Sequence, residues 1–304
     1  MYDLIGDIHG QADRLFALLE KMGYTQGDGV WRHETRKAVF LGDFIDRGEK
    51  QIEVLTTAKA MIDTCNAYCV MGNHELNAIG WHTPAPYGKG FLRPHTENNR
   101  RQHAAFLAAL GENSSKHQQW IEWFKTLPLW LELDGIRVIH ACWDEAAMQI
   151  LSPCLNVKHI VLENAWPRLF VYGSAEFKAS ELLLKGEELD LPEGFSFRDK
   201  DDHSRRRARV KWWLSGTVDW RELAVEKEIA RQLPAIPAAR NGRGYPVDAP
   251  PAFVGHYWRT GEPEFFAPNI ACVDYSAPDP TCKLVAYRWQ GEARLRAEHF
   301  VTAE

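Results

Sequence analysis

The sequence predicts an α/β fold, and three observations support this prediction. The first third of the chain alternates short apolar runs with segments of helical periodicity, in the order strand, helix, strand, helix, strand. This order is typical of a parallel sheet whose crossovers are helices. Strand-like runs return near the end of the chain, and 304 residues with 45% hydrophobic content are ample for a large core.

The first third contains three predicted strands and two predicted helices. The strands are YDLIG, KAVFLG and AYCVMG, and the helices are QADRLFALLEKMGY and KQIEVLTTAKAMID. Apolar residues three and four apart share one face of a helix, and we expect that face to be buried. The positions concerned are Leu15, Leu18, Leu19 and Met22, before a stop at Gly23, and then Ile52, Leu55, Ala58 and Ile62.

The middle of the chain is less regular. Residues 81–118 are rich in Pro, Gly, His and Asn and form a long excursion, and residues 145–250 read as an elaborated insertion. Between them, LWLELDGIRVIHA predicts a hairpin with a tight turn at Asp134-Gly135. We therefore expect a single domain over residues 1–304 with insertions at about 81–118 and 145–250. One helical face just before the hairpin favours core packing over cofactor stacking; it carries Trp120, Trp123, Phe124 and Leu127.

Composition excludes several classes of protein. The net charge is −5, so the chain as a whole has no basic footprint for nucleic acid. No apolar stretch approaches the roughly 18 residues of a membrane span, and no signal peptide is apparent. The six cysteines form no Cys-x-x-Cys pair, which indicates reduced thiols, and we expect Cys65 and Cys69 to be buried. A soluble cytoplasmic protein is the expectation, with its oligomeric state left open.

Polar residues able to bind a metal follow five strand-like runs. The carboxyl ends of strands in open α/β folds gather in one crevice, where ligands bind. Carboxylate, amide and imidazole donors without thiolate suit Mn²⁺, Fe or Zn²⁺. Seven candidates, with one aspartate able to bridge, point to two metals: Asp7, His9, Asp43, Asn73, His74, His140 and His256.

A pair of metals favours one class of reaction. Two cations about 3.5–4 Å apart clamp the attacking and leaving oxygens of an in-line displacement and lower the pKa of a shared water. They also neutralise a phosphoryl dianion. Phosphoester hydrolysis uses all of these properties, so it is the reaction that the pattern predicts.

The motifs resemble those of the calcineurin-like metallophosphoesterase superfamily. They are GDIHG at 6–10, GDFIDRG at 42–48, GNHE at 72–75, the strand-final His140, and GH at 255–256. Within it, the chain is similar to the phosphoprotein phosphatase branch and its bacterial relatives, including symmetrical diadenosine tetraphosphatases. The resemblance implies a four-layer α/β sandwich, two mixed β-sheets flanked by helices.

The resemblance also implies a role for each motif residue. One metal would be held by Asp7, His9 and Asp43, and the second by Asp43, Asn73, His140 and His256. The cofactors would be two divalent ions, with Mn expected and Fe, Zn or Ni as alternatives, and a bridging hydroxide would be the nucleophile. His74 would be the general acid, oriented by Asp46. Arg47 would bind phosphate oxygens bidentately, and Asn73 would also face the substrate.

A second phosphate-binding arginine is expected between the third motif and His256. Among several candidates, including Arg240 and Arg243, we choose Arg205 and Arg207 in the run HSRRRARVKWW. Tyr257 is expected at the rim of the site. We assign no role to the four histidines of the excursion, which are His82, His95, His103 and His117.

These residues favour a serine/threonine protein phosphatase-like phosphomonoesterase acting on a phosphorylated protein or a small phosphorylated molecule. The reason is Asp46, because the diadenosine tetraphosphatase branch that the chain also resembles typically has Asn or Ala at this place in the motif. The alternative is a dinucleoside polyphosphate hydrolase, because FVGHYW and LVAYRWQGE resemble the C-terminal strands of diadenosine tetraphosphatases. A non-catalytic binding module is a further alternative, although such a relative should have lost a ligand or the acid.

Overall fold

The computed structural model describes residues 1–88, 90–198, 204–238, 240 and 242–303. They form two compact units, one of residues 1–184 with 250–304 and the other of residues 185–249. The second unit falls inside the predicted insertion at 145–250. Our assignment of the whole chain to a single domain stays a prediction.

The described residues form strands and helices that we number in chain order. The strands are β1 (Tyr2–Ile5), β2 (Thr25–Gly27), β3 (Val30–Arg32), β4 (Lys37–Phe40), β5 (Ala67–Cys69), β6 (Trp130–Leu133), β7 (Ile136–Ile139), β8 (Glu188–Asp190), β9 (Phe197–Arg198), β10 (Ser204–Arg205), β11 (Arg207–Arg209), β12 (Ala252–Val254), β13 (Phe265–Ala267), β14 (Ile270–Cys272), β15 (Leu284–Trp289) and β16 (Phe300–Ala303). The α-helices are α1 (Ala12–Lys21), α2 (Gln51–Asp63), α3 (Asn73–His82), α4 (Glu97–Gln102), α5 (Ala104–Leu110), α6 (Ser115–Phe124), α7 (Glu145–Leu151), α8 (Trp166–Leu169), α9 (Ala175–Lys185), α10 (Trp220–Leu223) and α11 (Lys227–Gln232). Short 3₁₀ turns are Pro86–Gly88, Ser152–Cys154, Glu163–Ala165 and Ala297–His299.

The first unit is built on two mixed five-stranded sheets. The first sheet has the order β16-β15-β1-β4-β5, in which β1, β4 and β5 are parallel and β15 and β16 are antiparallel. The second has the order β13-β14-β12-β7-β6, with β7, β12 and β14 parallel. At the edges of this sheet, β13 pairs antiparallel with β14 and β6 pairs antiparallel with β7, and β6 and β7 form the predicted hairpin.

The two sheets pack face to face. One buried cluster draws side chains from both, including Leu4 and Val39 of the first sheet and Val138 of the second. The rings of Phe253 and Tyr287 meet across the interface with their centroids 5.2 Å apart. Inward-facing apolar side chains from two sheets are what a β-sandwich core requires. The predicted α/β sandwich of two mixed sheets with flanking helices is confirmed.

Helix periodicity predicted one face correctly and misplaced another. All four predicted positions of α1 are buried, with Leu15 and Leu19 fully enclosed. In α2, by contrast, Ile52 is 39% exposed, while Val54 and Met61 are buried. The expected face of α2 was therefore wrong in part, because this helix is apolar on more than one side. Trp123 and Phe124 of α6, and Leu127 just after it, pack into the core as predicted, whereas Trp120 is only half-buried.

The second unit has a core of its own. Strand β8 pairs with β11 and β9 with β10, both antiparallel. Its buried cluster includes Leu191, Val210, Trp220 and Leu223. Trp212 and its neighbour Trp213 in this unit are also buried.

Cysteine burial and helix length bear on two further expectations. All six cysteines are free thiols, and Cys69 is buried, but Cys65 is exposed at the turn that follows α2. The expected burial of Cys65 was therefore wrong. Across the described ranges, no helix combines the length and the apolar character that a bilayer crossing needs.

Candidate metal centre

The ends of parallel strands from both sheets meet at one place. Asp7 follows β1 and Asp43 follows β4 in the first sheet, while His140 follows β7 and His256 follows β12 in the second. The two sheets are tied together there, because the His256 N–H donates to Asp7 Oδ2 at 3.0 Å. Within the second sheet, the Gly255 N–H donates to the carbonyl of His140 at 2.8 Å. The crevice that the sequence predicted is therefore present.

The Asp43 carboxylate lies at the centre of this crevice. Its Oδ2 is 3.3 Å from Nε2 of His140, 3.6 Å from Nε2 of His9 and 3.9 Å from Nε2 of His74. Its Oδ1 accepts a hydrogen bond from the His74 N–H at 2.9 Å. Three imidazoles thus surround one buried carboxylate oxygen.

Backbone carbonyls orient two of these imidazoles. Nδ1 of His9 donates to the carbonyl of Ile45 at 2.7 Å, and Nδ1 of His140 donates to the carbonyl of Leu41 at 2.6 Å. With Nδ1 carrying the proton, the Nε2 lone pair is directed at the crevice. Metal-binding histidines are oriented by such second hydrogen bonds.

Helix α3 brings an amide into the same crevice. Gly72 is its N-cap, so Asn73 and His74 are the first helical residues. Asn73 Oδ1 lies 2.7 Å from Nδ1 of His256 and 3.2 Å from Nε2 of His140. The structure therefore brings all six predicted metal ligands together.

The buried acidic and imidazole groups of the crevice shift one another's pKa values. Burial and the neighbouring Asp274 carboxylate raise the pKa of Asp7 well above its usual range. Burial would also raise the pKa of Asp43, but the His140 and His74 imidazoles hold it well below its usual range. Burial would lower the pKa of His140, but the Asp43 and Asp7 carboxylates raise that pKa to about 10. Several buried carboxylates at one point attract cations.

Two buried polar atoms suit a metal in particular. Asp7 Oδ1 and His9 Nε2 are enclosed and have no hydrogen-bond partner among the residues that the structure describes. Such atoms are rare in folded proteins unless an ion or a water satisfies them. Donor atoms converge within 4.8 Å in two groups that share Asp43, one with His9 and His74 and the other with His140 and His256. The residues present therefore fit two divalent cations with Asp43 between them.

A hydrogen-bonded chain of three side chains lies beside this centre. His74 Nδ1 is 2.5 Å from Asp46 Oδ2, and His103 Nδ1 is 2.8 Å from Asp46 Oδ1. Burial would lower the pKa of His74, but the Asp43 and Asp46 carboxylates raise it. The predicted pairing of Asp46 with His74 is thus present. His103 had no role in the sequence-based interpretation, because nothing near it in the chain resembles a site motif.

Glu75, the last residue of the GNHE motif, is a second site residue that sequence reasoning missed. Its Oε2 accepts from the N–H groups of Asp43 at 2.8 Å and Gly72 at 3.0 Å, and its Oε1 accepts from the N–H of Phe44 at 2.9 Å. Burial and Asp43 raise the pKa of this carboxyl to about 7. Glu75 fixes the turn after β4 against the start of α3.

The backbone at the site adopts an unusual conformation. Residues other than glycine rarely have positive φ angles, and such angles concentrate at functional sites. Gly255 permits a close approach, since a Cβ there would lie 2.1 Å from Asp7 Oδ1. Five site residues have φ between 47° and 70°: His9, Asp43, Asp46, Arg47 and His256.

The remaining predicted residues lie in different places. The Arg47 side chain is exposed, and its guanidinium carbon lies 3.4 Å from the ring centroid of Trp258. Tyr257 is only 2% exposed, and its hydroxyl donates to the carbonyl of Ala141 at 3.0 Å. The expected position of Tyr257 at the rim was therefore wrong. Arg205 and Arg207 lie in the second unit, and their role as phosphate ligands stays a prediction.

Comparison with known proteins identifies a matching family and proteins of similar sequence. Residues 2–224 match the family described as calcineurin-like phosphoesterase. An asymmetrical bis(5'-nucleosyl)-tetraphosphatase PrpE of Oceanobacillus iheyensis is 32% identical over 140 residues, which are 46% of this chain and 54% of that protein. Its counterpart in Bacillus subtilis is 46% identical over 74 residues, 24% of this chain and 30% of that one. The matched region thus spans about half or less of these relatives.

A solved structure shows the same fold. A protein serine/threonine phosphatase from Saccharomyces cerevisiae superimposes with a TM-score of 0.51 at 16% sequence identity, covering 99% of this chain and 78% of that one. At this identity the likeness concerns the fold alone. With the family match over most of its length and the crevice described above, the chain belongs to the calcineurin-like phosphoesterase family.

Proposed function

We propose that this protein is a dimetal-dependent hydrolase that cleaves bis(5'-nucleosyl) polyphosphates. The observation that carries the proposal is the position of His74 Nε2, 3.9 Å from the Asp43 oxygen on which the donor groups converge. An acid in this position can protonate the leaving-group oxygen of a substrate whose phosphoryl group is held at the centre. The names of the PrpE relatives direct the choice of substrate.

We assign the metal ligands as the resemblance implies. Asp7, His9 and Asp43 would hold one cation, and the second would be held by Asp43, Asn73, His140 and His256. When bound, the two cations supply a water of lowered pKa and positive charge beside the phosphoryl oxygens. Mn²⁺ is the expected ion, with Fe, Zn or Ni as alternatives. His74 is placed outside both ligand sets, because its Nδ1 is held by Asp46 and its raised pKa suits a proton donor.

The other side chains bind and orient. His74 holds a proton on Nε2 for the leaving oxygen, and the Asp46 carboxylate accepts a hydrogen bond from His74 Nδ1, which favours the doubly protonated imidazolium. Arg47 is held above Trp258 and presents a planar guanidinium to the phosphoryl oxygens. His103 fixes the second oxygen of Asp46.

Asp46 does not separate the two substrate classes as the sequence suggested. Its bond to His74 prepares an acid, and the hydrolysis of an ester and that of an anhydride both need one. A protein phosphatase-like phosphomonoesterase stays the second candidate, because the chain retains this aspartate and pairs it with His74. The non-catalytic alternative would be favoured by a missing ligand or acid, and every one of these side chains lies in the cluster.

The test compares two substrates under one condition. With Mn²⁺ present, kcat/KM is measured for diadenosine tetraphosphate and for phosphoserine and phosphothreonine peptides, and the nucleotide products are separated by ion exchange. We expect at least a tenfold preference for the dinucleotide. A tenfold preference for a phosphopeptide would overturn the choice of substrate. His74→Asn is the control for a contaminating activity.

A further inference from the structure

A cavity adjoins the acid side of the candidate centre. It is lined by Asp46 and His74, by Trp81 of α3 and by residues of the predicted excursion. The other polar residues of the lining are Asn77, Arg93, Asn99, Gln102 and His103. Because the proton donor itself lines this cavity, a group that accepts the proton can extend into it.

Arg93 is held in the wall by amide groups. Its Nη2 donates to Asn99 Oδ1 and to Gln102 Oε1, both at 2.9 Å. Its backbone N–H donates to the carbonyl of Gly80 at 2.8 Å, which fixes the segment against α3. Within the described ranges, the guanidinium bonds only to neutral acceptors, and its Nε and Nη1 have no hydrogen-bond partner.

The acidic residue in the cavity is already engaged. Both Asp46 oxygens are bonded to imidazoles, one to His74 and one to His103. Burial lowers the pKa of the partly buried Arg93, while the Glu181 and Asp46 carboxylates act on it in the opposite direction through longer-range charge interactions. A guanidinium supported by amides, with two nitrogens available, suits an anionic oxygen group such as phosphate.

We propose that this cavity is the leaving-group subsite and that Arg93 binds a phosphate of the leaving group. This inference rests on the proposed function and deepens it. A substrate with phosphate on both sides of the scissile bond gains from Arg93, and one that releases an uncharged alcohol or phenol does not. In the reaction, a water oxygen bonds to phosphorus, the bridging P–O bond breaks, and the His74 proton goes to the departing phosphate oxygen. Water is the co-reactant.

The test measures selectivity between leaving groups. Arg93→Gln is assayed as the Mn²⁺-loaded protein with diadenosine tetraphosphate, whose leaving group is a phosphate, and with p-nitrophenyl phosphate, whose leaving group is a phenol. Loss of a hydrogen bond to a charged group predicts a fall in kcat/KM of about tenfold to about 150-fold for the dinucleotide. For p-nitrophenyl phosphate we expect a change of less than about threefold.

Two further variants complete the design. Arg101→Gln is the matched control, because Arg101 is exposed on the same helix as Gln102, contacts Asn98 and does not line the cavity. We expect Arg101→Gln to leave both activities within about threefold. Arg93→Lys keeps the positive charge without the planar fork, so it should restore part of the dinucleotide activity, and it replaces Arg93→Gln in the test if the glutamine variant does not fold.

Two results would overturn the inference. Equal losses on both substrates would mean that Arg93 has a structural role or contacts the transferred phosphoryl group. Unchanged activity on the dinucleotide would mean that Arg93 does not bind the substrate. The proposed function fails by a different measurement, the wild-type preference for phosphopeptides. In that case the Arg93 variants are assayed on inorganic pyrophosphate, and a wild-type protein unable to cleave any phosphoanhydride overturns the inference too.

Discussion

Replacing Asp46 with asparagine isolates the contribution of one carboxylate to the acid. Asp46 accepts from two imidazoles, His74 at 2.5 Å and His103 at 2.8 Å, and is almost fully buried. An asparagine amide has the same shape, but only its oxygen can accept, so one imidazole would face an NH₂ group. The bond lost is one to a charged group, which contributes about 1.5–3 kcal/mol. If that energy stabilises the acid in the transition state, kcat falls by about tenfold to about 150-fold.

The pH dependence of Asp46→Asn gives a second readout. The carboxylate raises the pKa of His74, so the acid keeps its proton to a higher pH than it would alone. Activity that needs the protonated ring is present below that pKa and is lost as the pH rises through it. Removing the Asp46 charge lowers the pKa, so the alkaline limb of the kcat profile should move to lower pH.

The assay is hydrolysis of phenyl phosphate, whose poor leaving group needs the proton, at saturating Mn²⁺ with metal content measured in parallel. A double variant supplies the control: if Asp46 acts through His74, adding Asp46→Asn to His74→Asn should cost almost nothing more. A loss in kcat below about threefold, or full additivity in the double variant, would refute the reasoning. Loss of metal in the single variant would instead assign Asp46 to metal binding.

Three further predictions follow from the assigned positions. His74→Asn should lower kcat by about 10²–10⁴-fold with the metal content unchanged by elemental analysis, whereas loss of metal would make His74 a ligand. Asp43→Asn should reduce binding of both cations in the same measurement, because the two donor groups share this side chain, and a fully active variant would exclude the shared position. Tyr257→Phe should lower the free energy of unfolding in urea by about 1 kcal/mol and leave KM unchanged, since its hydroxyl serves the Ala141 carbonyl; a raised KM would return Tyr257 to the substrate site.

The sequence alone was sufficient to predict those site residues that directly follow a strand-like run. Asp7, Asp43 and His140 each follow a short apolar run, and the end of a parallel strand has a fixed place in an α/β sheet. In these cases a few neighbouring residues determine where the side chain lies. The pairing of Asp46 with His74 came instead from the resemblance to calcineurin-like metallophosphoesterases, which both motifs carry.

The parts that the sequence did not predict depend on distant contacts. His103 reaches Asp46 across 57 positions of the chain, and Arg93 reaches the cavity from a segment without periodicity. Glu75 was quoted as part of a motif, yet its bonds to the turn after β4 appear only when β4 and α3 are adjacent. Burial of Tyr257 likewise follows from packing between strands, which a single sequence does not display.

The left-handed backbone conformations at the crevice have a consequence for protein engineering. An L-residue in this region carries a penalty of roughly 1–2 kcal/mol that glycine escapes. Arg47, exposed and with φ at 69°, is a clear example. A search for thermostable variants should therefore enrich glycine at such positions and inactivate the protein as it does so. Selection for heat resistance and selection for turnover would thus diverge at the same few residues, and a screen that scores both would reveal which of them the chemistry requires.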